Sequence, residues 1–300
     1  MKSLVNITDG YGREAAIPDD TCSIGCSSGG PCVRYMVYMD AEDMIAGLDS
    51  GDIPSENTFD TDTRSYILAN PQFADLALIG SSSGGANLEA LMAINPDVIF
   101  MLGSSGAASG TPASADTLQE RTGIPVIAMP SGSYATPGER EELYSSYRLI
   151  GKILGKESRA EELSAYIEAT ITDLEARTKD IPESEKKTVF IGGLSYGGAH
   201  GLMSTQSAYP PFIWVNVKNI AAEYNLSSID FSKEALLYSD PEYIFIDAGT
   251  LSVQEETGGC DEIKKPLYSD MQAVKNGNVY VTLPYNYRSS NLDTILADAY

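Results

Sequence analysis

One long helical pattern constrains the fold of this chain more than any other feature. Residues 139–154 and 157–179 place apolar side chains three and four positions apart, which is the period of a half-buried helix. Pro137 stands at the start of this region and Pro182 just beyond its end, where proline begins or stops a helix. Gly155 divides the pattern into two helices. At about 1.5 Å of rise per residue, the second helix would reach roughly 30–35 Å, the width of a small domain. We therefore expect it to join two lobes.

A short internal repeat flanks this pattern. Residues 89–100 and 234–245 can be written over each other without a gap, and Glu, Ala, Leu, Pro, Ile and Phe coincide. Each copy predicts a short helix, a proline turn and a buried strand. The interpretation we favour is one unit used twice, once in each lobe. The alternative is two unrelated helix–turn–strand units of similar composition.

The charge balance excludes some classes of partner. The chain of 300 residues has 42 acidic and 20 basic side chains, a formal net charge of −22. A nucleic-acid-binding protein needs a basic surface, and unassisted docking on anionic lipid is opposed in the same way. No run approaches the roughly 20 apolar residues of a membrane helix. The first residues also lack the apolar core of a secretion signal, which leaves open a cytoplasmic protein or one whose signal has been removed.

Short apolar segments alternate with helical ones, which predicts parallel sheets covered on both faces. Loops rich in Ser and Gly follow several of the predicted strands. Ligands of open α/β sheets bind at the carboxyl ends of the strands, and helix N-termini offer free N–H groups there. The alternative is that Ser and Gly only make good turns and caps. We further predict a strand hairpin over residues 5–17, a Ser/Gly/Cys-rich loop over 21–31, and a helix over 212–224.

Tyrosine, histidine and arginine in the same loops are the second signal for a ligand. The chain has 18 Tyr against seven Phe and one Trp, and a phenol presents a flat apolar face with one polar tip, which suits a flat ligand or a metal complex. His200, the only histidine, could ligate a metal or donate a hydrogen bond, and Arg288 could pair with an anion. Rim tyrosines and a solvated arginine are the alternatives. The candidate ligand-binding residues are Ser27, Ser28, Arg34, Ser82, Ser83, Ser104, Ser105, Ser131, Tyr134, Tyr196, His200, Tyr285, Tyr287 and Arg288.

No catalytic constellation is visible in the sequence. There is no G-x-S-x-G motif with a usable histidine, no Walker A lysine, and no G-x-G-x-x-G after a strand with an acidic partner. We therefore expect neither an enzyme nor a bound cofactor. The spacing of Cys22, Cys26, Cys32 and Cys260 fits no common zinc or iron–sulfur pattern. It leaves open disulfides in an extracellular protein or free buried thiols.

Four segments carry a family resemblance. They are an opening hairpin (Ile7, Thr8, Asp9, Gly12, Arg13), the first repeat copy with its preceding asparagine (residues 87–99), the entry to the long helix (149–162), and the second repeat copy with its preceding residues (231–245). In combination the chain resembles the substrate-binding proteins of ABC importers for iron–siderophore complexes, haem and cobalamin.

The resemblance implies an α/β fold with two Rossmann-like lobes, parallel sheets, one long joining helix and a ligand cleft between the lobes. The expected domains are residues 1–155, 156–181 and 182–300. In that family an acidic residue on each lobe docks onto arginines of the membrane permease, and Glu89 and Glu234 stand at those positions. An alternative role is a helix-start carboxylate favoured by the helix dipole. The expected protein is an extracytoplasmic monomer that binds a small-molecule metal complex, such as an iron chelate, and delivers it to the permease.

Two other functions stay open at this point. One is an intracellular enzyme on a related two-lobed fold, such as a metal chelatase or a cluster-binding component, with Cys260 and His200 as ligands. The other is an oxyanion-binding importer component that uses Ser and Gly amides, which the charge of −22 opposes at long range but permits in a local site.

Overall fold

A computed structural model describes residues 3–27, 32–54, 64–81, 85–103, 110–196, 198–224, 227–253, 258–286 and 290–300. The chain forms two compact units, Met1–Tyr166 and Ile167–Tyr300, which we call the N-terminal unit and the C-terminal unit. The finer division expected from the sequence, at residues 155 and 182, stays a prediction.

The N-terminal unit is built on a six-stranded sheet. The strand order is β6-β5-β4-β3-β7-β8, and every neighbouring pair is parallel except β5 and β6. A separate antiparallel hairpin joins β1 and β2, as predicted. The strands are β1 (Leu4–Thr8), β2 (Glu14–Pro18), β3 (Ile24–Ser27), β4 (Ile45–Asp49), β5 (Ala77–Ser81), β6 (Gly85–Ala86), β7 (Val98–Gly103) and β8 (Val126–Pro130). The helices are α1 (Cys32–Tyr38), α2 (Ser65–Leu68), α3 (Leu88–Ile94), α4 (Pro112–Thr122) and α5 (Pro137–Leu154).

The predicted loop over residues 21–31 is wrong in part, because it contains β3. All four residues of β3 are buried, and the strand pairs with β4 on one side and β7 on the other. Its sequence, Ile-Gly-Cys-Ser, has one large apolar side chain and none of the alternation that marks a half-exposed strand. A strand buried on both faces shows no such alternation, and small residues are accommodated where neighbouring side chains approach closely.

The C-terminal unit contains a four-stranded, wholly parallel sheet in the order β11-β9-β13-β14. Alternate residues of its strands enter two different cores. Phe190, Ile244 and Ile246 pack on one face, while Val189 and Ile191 pack on the other. This is the two-residue period of a strand covered on both sides. The strands are β9 (Thr188–Gly192), β10 (Ser204–Gln206), β11 (Lys218–Asn219), β12 (Ser227–Asp230), β13 (Tyr243–Asp247) and β14 (Val279–Thr282). The helices are α7 (Pro210–Trp214), α8 (Lys233–Ser239), α9 (Gly259–Glu262), α10 (Gln272–Lys275) and α11 (Leu292–Asp298).

The helix predicted over residues 212–224 is wrong in part. The α-helix α7 ends at Trp214, and the chain turns away at Asn216, whose φ of 53° lies in the left-handed region; a single 3₁₀ turn follows at Ala222–Tyr224. Lys218 and Asn219 then pair with the start of β9 as an edge strand. Because the chain completes the sheet there, backbone pairing outweighs the helical pattern of the apolar residues.

The long helical pattern forms two helices, as predicted. Helix α5 starts with Pro137 behind the cap residue Thr136 and ends at Gly155, whose φ of 66° breaks the helix. Helix α6 (Glu157–Thr178) follows and is about 33 Å long. Its amino end is held within the N-terminal unit, since Nζ of Lys156, the residue just before the helix, donates to the carbonyl of Asp40 at 2.6 Å. Its last turn accepts a hydrogen bond from Asn216 of the C-terminal unit at 3.0 Å.

The internal repeat is a structural one. Helices α3 and α8 are capped by Asn87 and Ser232, whose side chains accept from the backbone three residues on. They end at Asn95 and Asp240, both in the left-handed conformation, and each is followed by proline and a parallel strand.

The acid after each proline has the same task in both copies. Asp97 Oδ2 accepts the backbone N–H of Ser23 at 3.2 Å, just before β3. Glu242 Oε2 accepts the backbone N–H of Thr188 at 3.1 Å, at the start of β9. Strands β3 and β9 are the parallel neighbours of β7 and β13. The predicted α/β class with parallel sheets is therefore confirmed, and one helix–turn–strand unit is used twice.

Candidate ligand-binding site

Asp247 joins two loops at the carboxyl edge of the C-terminal sheet. It ends β13 and is fully buried. Its Oδ1 accepts the backbone N–H of Gly249 at 2.7 Å, and its Oδ2 accepts the backbone N–H of Tyr285 at 3.0 Å. Tyr285 follows β14, so one carboxylate holds the loop after β13 and the loop after β14 together.

Asp298, the last residue of α11, holds the loop after β14 at a second point. Its Oδ1 accepts the backbone N–H of Leu283 at 3.0 Å, and its Oδ2 accepts the phenol of Tyr209 at 3.3 Å. Burial raises the pKa of Asp247 to about 7, and hydrogen bonds from Tyr285 and Gly249 offset this only in part. Burial also raises the pKa of Asp298 to about 7, with a further contribution from the charge of Asp247. Two groups that titrate near neutral pH therefore anchor this loop.

The loop after β9 reaches the same edge. The carbonyl of Ser195 accepts a hydrogen bond from Asn286 Nδ2 at 3.0 Å, and Thr250 Oγ1 donates to the carbonyl of His200 at 2.8 Å. Tyr196 is 58% exposed and His200 is exposed too, with its Nε2 2.8 Å from the Tyr196 carbonyl oxygen. The structure thus brings Tyr196, His200 and Tyr285 to one edge, with an aromatic ring and an imidazole open to solvent.

Ser195, in the loop 195–200 that the sequence predicts as a ligand contact, adds a hydroxyl to this edge. The residue is buried, and its Oγ has no hydrogen-bond partner among the described residues. A Cβ on Gly249 would lie 2.6 Å from that oxygen, so the two loops approach as closely as glycine allows.

The loop after β8 forms the corresponding edge of the N-terminal unit. The carbonyl of Ser131 accepts a hydrogen bond from the phenol of Tyr35, and the backbone N–H of Ser131 donates to Gly103 at the end of β7 at 2.9 Å. Gly132 has a φ of +62°, and a Cβ there would lie 2.5 Å from the backbone nitrogen of Leu143. Only glycine therefore lets α5 pack this closely against the loop.

Tyr134, predicted as a ligand contact, is only 3% exposed. It belongs to a group of tyrosines around Tyr147, whose pKa is raised well above its ordinary value by burial and by the neighbouring phenols. Tyr35 packs against Tyr147 with ring centroids 5.2 Å apart. In this structure Tyr134 supports the loop from inside the unit.

Ser27 and Arg34 are also buried. Ser27 ends β3, and Arg34 on α1 holds its guanidinium 4.7 Å from the centre of the Tyr66 ring. Tyr66 donates in turn to Asp52 Oδ1 at 2.6 Å. Arg34 therefore belongs to a buried polar cluster with Tyr66 and Asp52.

Seven predicted contacts lie outside the described residues. They are Ser28, Ser82, Ser83, Ser104, Ser105, Tyr287 and Arg288.

Sequence reasoning missed Asp247, Asp298 and Tyr11. Tyr11 lies in the turn between β1 and β2, and its phenol oxygen would be 2.8 Å from a Cβ on Gly103. The hairpin is held there by Asp9, whose Oδ2 accepts the Ala128 backbone N–H at 3.1 Å and the Arg13 guanidinium at 2.8 Å. The available signal for Asp247 was its position at the end of an apolar strand. The sequence does not show that its carboxylate accepts backbone N–H groups from two loops.

Glu89 and Glu234 occupy equivalent positions in the first turns of α3 and α8. Both are exposed. Ser232 Oγ donates to Glu234 Oε2 at 2.8 Å. This hydrogen bond lowers the pKa of Glu234, with a smaller contribution from its own backbone N–H. Each carboxylate therefore projects from the amino end of a helix into solvent.

A pocket of about 290 Å³ lies within the C-terminal unit, on one face of its sheet. Its wall includes the aromatic rings of Phe212, Tyr243 and Phe245 and the side chains of Tyr209 and Asp298. It lies between α7, α11 and the strands, whereas the candidate site is at the strand ends.

Two other kinds of feature, a metal site and a membrane-spanning helix, are absent from the described residues. No group of three or more His, Cys, Asp or Glu side chains in that part of the chain is arranged to hold a metal ion. Of the helices in the described ranges, none has the length and apolar composition that crossing a bilayer requires.

Comparison with curated proteins identifies two relatives from Bacillus subtilis (strain 168). The chain is 24% identical over 196 residues to the uncharacterized ABC transporter substrate-binding lipoprotein YvrC, a match covering 65% of this chain and 57% of that protein. It is 30% identical over 142 residues to the Fe(3+)-citrate-binding protein YfmC, covering 47% of this chain and 42% of that protein. The matched regions thus span about half the length of these relatives.

Among solved structures, a periplasmic solute binding protein from Veillonella parvula DSM 2008 shares the fold. The TM-score is 0.72 at 19% identity, with 98% of this chain and 83% of that chain covered. The sequence model of the periplasmic binding protein family matches residues 64–285. That range includes both copies of the repeat, α5 and α6, and the loops after β8, β9 and β13, whereas Ser27, Asn286 and Asp298 lie outside it. The chain is therefore a member of the periplasmic binding protein family.

Proposed function

We propose that this protein is the extracytoplasmic substrate-binding component of an ABC importer, and that it captures an iron complex and delivers it to a membrane permease without chemical change. The observation that carries the proposal is the family match over residues 64–285. The name of the relative YvrC describes an ABC transporter substrate-binding lipoprotein. That name supports an extracytoplasmic, lipid-anchored protein, and we take the working form to be a monomer.

The exposed groups at the C-terminal edge favour a metal chelate as ligand. Tyr196 offers a flat apolar face, and His200 offers a ring nitrogen that can donate to or coordinate a ligand. Ser195 adds a hydroxyl without a partner among the described residues. A ferric chelate with carboxylate or catecholate arms combines aromatic or apolar surface with hydrogen-bond acceptors, so it matches this set. The relative YfmC is named for binding Fe(3+)-citrate, which makes ferric citrate the first ligand to test.

Tyr287 and Arg288, which come after β14 in the sequence, complete the proposed ligand set. An arginine pairs with carboxylates through two parallel hydrogen bonds. It would supply a local positive charge in a chain of net charge −22. The serines at residues 27, 28, 82, 83, 104, 105 and 131, with Arg34 and Tyr134, are the proposed N-terminal contributors. The burial of Ser27, Arg34 and Tyr134 favours a supporting role for those three.

A thermal-shift screen tests the ligand class. Ferric citrate, ferric siderophores, haem, corrinoids, molybdate and free metal ions are added separately to the purified protein. A ligand at 100 times its Kd stabilises the folded state by about 2.7 kcal/mol, or roughly 5–10 °C for a chain of this size. A shift with ferric chelates supports the proposal. A shift with molybdate alone would replace the iron complex by an oxyanion, and no shift with any compound would refute the ligand assignment.

Substitution of one exposed tyrosine tests the site. Tyr196→Ala is expected to weaken binding of the ligand found in the screen about 10-fold, because an aromatic contact of this kind contributes about 1–2 kcal/mol. The matched control is Tyr238→Ala, since Tyr238 is 92% exposed on α8. Equal affinities for the two variants in isothermal titration would exclude the C-terminal edge as the site.

Glu89 and Glu234 are the proposed contacts with the permease. Their support is the equivalent placement on α3 and α8 and their exposure. The double variant Glu89→Ala/Glu234→Ala should bind ligand normally but lose most of its stimulation of permease ATPase activity in proteoliposomes. Glu161→Ala/Glu175→Ala, which removes one exposed carboxylate from each unit, is the control of equal charge. If both double variants stimulate equally, these two residues do not form the docking contact.

A further inference from the structure

Two cysteines meet at the carboxyl end of β3, beside the candidate site of the N-terminal unit. Cys26 lies within β3 and Cys32 is the first residue of α1, and both are 2% exposed. The Cys26 side chain is among the groups that raise the pKa of the Cys32 thiol, after burial itself, so the two side chains are neighbours. Both thiols are free in this structure. Two buried thiols therefore lie near each other at the two ends of one strand–helix connection.

Both cysteines lie next to the backbone of Phe100. Cys26 is the register partner of Phe100 in the pairing of β3 with β7. The Cys32 thiol lies 3.7 Å from the carbonyl oxygen of the same Phe100. The closeness of the two side chains therefore follows from the sheet register and from the packing of α1 on that sheet.

The other cysteines are placed differently. Cys22 precedes β3 at its amino end, is exposed, and directs its thiol to Asp97 Oδ2 at 3.4 Å. Four residues of extended chain separate it from Cys26 by roughly 13 Å, well beyond the roughly 7 Å that a disulfide spans between Cα atoms. Cys260 lies on α9 and packs against a core of the C-terminal unit. The geometry thus selects Cys26 and Cys32 as the pair.

We propose that Cys26 and Cys32 form a disulfide, which fixes the start of α1 to the end of β3 and so rigidifies the N-terminal binding edge. The consequence reaches the candidate site through Tyr35 on α1, whose phenol donates to the carbonyl of Ser131 in the loop after β8. This proposal depends on the proposed function in one respect: an extracytoplasmic location would expose the protein to disulfide oxidants.

The oxidant is a small-molecule or protein disulfide. The Cys26 thiolate attacks one sulfur of that disulfide, which releases one thiol and leaves a mixed disulfide on Cys26. The Cys32 thiolate then attacks the Cys26 sulfur and releases the second thiol. In total the two cysteines lose two protons and two electrons, and the oxidant is reduced to two thiols. Burial raises the pKa of the Cys32 thiol well above its ordinary value, so the reaction belongs to folding, before the thiols are enclosed.

Differential alkylation of the unaltered chain tests the pairing. The protein is reduced, unfolded in urea and refolded in a buffer of oxidised and reduced glutathione. Free thiols are then labelled with one reagent, the disulfides are reduced, and the new thiols are labelled with a second. Cys22, Cys26 and Cys32 fall in one tryptic peptide, residues 14–34, and tandem mass spectrometry locates each label. The second label on Cys26 and Cys32, with the first on Cys22, supports the proposal.

Two results would overturn the pairing: the first label on both Cys26 and Cys32, or glutathione attached to either. These readouts involve no ligand, so they stand apart from any failure of the proposed transport function.

A melting experiment tests the mechanical effect. Closing a loop this short is expected to raise the melting temperature of the oxidised chain by about 4–8 °C over the chain treated with dithiothreitol. Cys22→Ser should keep this difference and Cys26→Ala should abolish it. A disulfide located by mass spectrometry without any change in melting temperature would refute the stiffening of the binding edge.

Discussion

Buried carboxylates anchor loops in both units, but their partners differ. In the N-terminal unit, Asp9 accepts backbone N–H groups and the guanidinium of Arg13 at 2.8 Å. In the C-terminal unit, Asp247 and Asp298 accept only backbone N–H groups and one phenol, with no ion pair to either among the described residues. Neutral donors offset the desolvation of a carboxylate only in part, so the pKa of both acids is raised to about 7.

The comparison shows that a loop can be anchored by a buried carboxylate in two chemically distinct ways. The hairpin of the N-terminal unit is held by a charge pair, whose strength depends on keeping both partners. The loop after β14 is held by acids whose protonation changes near neutral pH. Three predictions test this difference, and a fourth compares the two left-handed helix ends of the repeated unit.

The largest effect is expected for Arg13→Met. This change leaves Asp9, whose side chain is fully buried, without its cation, and breaking one side of a buried pair costs about 3 kcal/mol. Urea denaturation should show this loss in the free energy of unfolding of the N-terminal unit. Arg13 also contacts Asp116, which is 68% exposed, and Asp116→Ala should cost less than about 1 kcal/mol. Similar losses for the two variants would show that the buried contact is not the stabilising one.

Asp247→Asn should cost about 2 kcal/mol. Both carboxylate oxygens accept backbone N–H groups, and an amide can offer only one oxygen, so its NH2 group would face an N–H donor. The melting temperature of the C-terminal unit reports the loss. A neutral result would mean that the loop after β14 is held chiefly by other contacts.

In contrast to the two preceding variants, Asp298→Asn should stabilise the protein, and the gain should depend on pH. Because the folded-state pKa of Asp298 is raised from 3.8 to about 7, the folded state binds more protons than the unfolded state in that interval. The stability from this group is therefore complete below about pH 4 and is lost as the pH rises through 7. The asparagine variant, whose amide can accept from Leu283 and donate to Tyr209, should gain stability relative to the parent by up to about 1.4 kcal/mol per pH unit between pH 4 and pH 7. Parallel stability curves for the two proteins would contradict the raised pKa.

The smallest effects concern the two left-handed helix ends. Asn95 has a φ of 44° and Asp240 a φ of 38°, and glycine removes the steric cost of that conformation, so Asn95→Gly should stabilise the protein by about 0.5 kcal/mol. Asp240 Oδ1 also accepts the backbone N–H of Gln272 at 2.8 Å. Asp240→Gly should therefore destabilise by about 1 kcal/mol. Denaturation midpoints that move in the same direction would show that the two ends are equivalent in energy as well as in shape.

Local sequence patterns predicted much of the fold because helix periodicity, capping and chain reversal depend on residues close together in the sequence. The helical period, the prolines and Gly155 predicted α5 and α6, and the matching windows predicted the repeated unit that ends in β7 and β13. The failures have a common cause. β3 has too few large side chains to show a pattern, and β11 forms only because β9 offers an unpaired edge.

The candidate site was predicted unevenly for a related reason. Exposed Tyr196 and His200 follow a strand in a Gly-rich loop, as the sequence indicated. Tyr134 follows a strand in a similar loop, yet it is buried, because α5 packs against that loop. Arg34 lies on α1 rather than in a loop, and it is buried next to Tyr66. Loop chemistry identifies candidates, but packing decides which of them can touch a ligand.

The sequence alone indicated the class of this protein: the periodicities and the repeat predict two α/β units with parallel sheets, and the net charge of −22 argues against a nucleic-acid surface. Tertiary structure decided which side chains face solvent, that Cys26 and Cys32 both adjoin Phe100, and that Asp247 and Asp298 hold loops with no cation paired to either among the described residues. The reason is that burial and pairing join residues far apart in the chain, and the free energy of a buried charge depends on those neighbours.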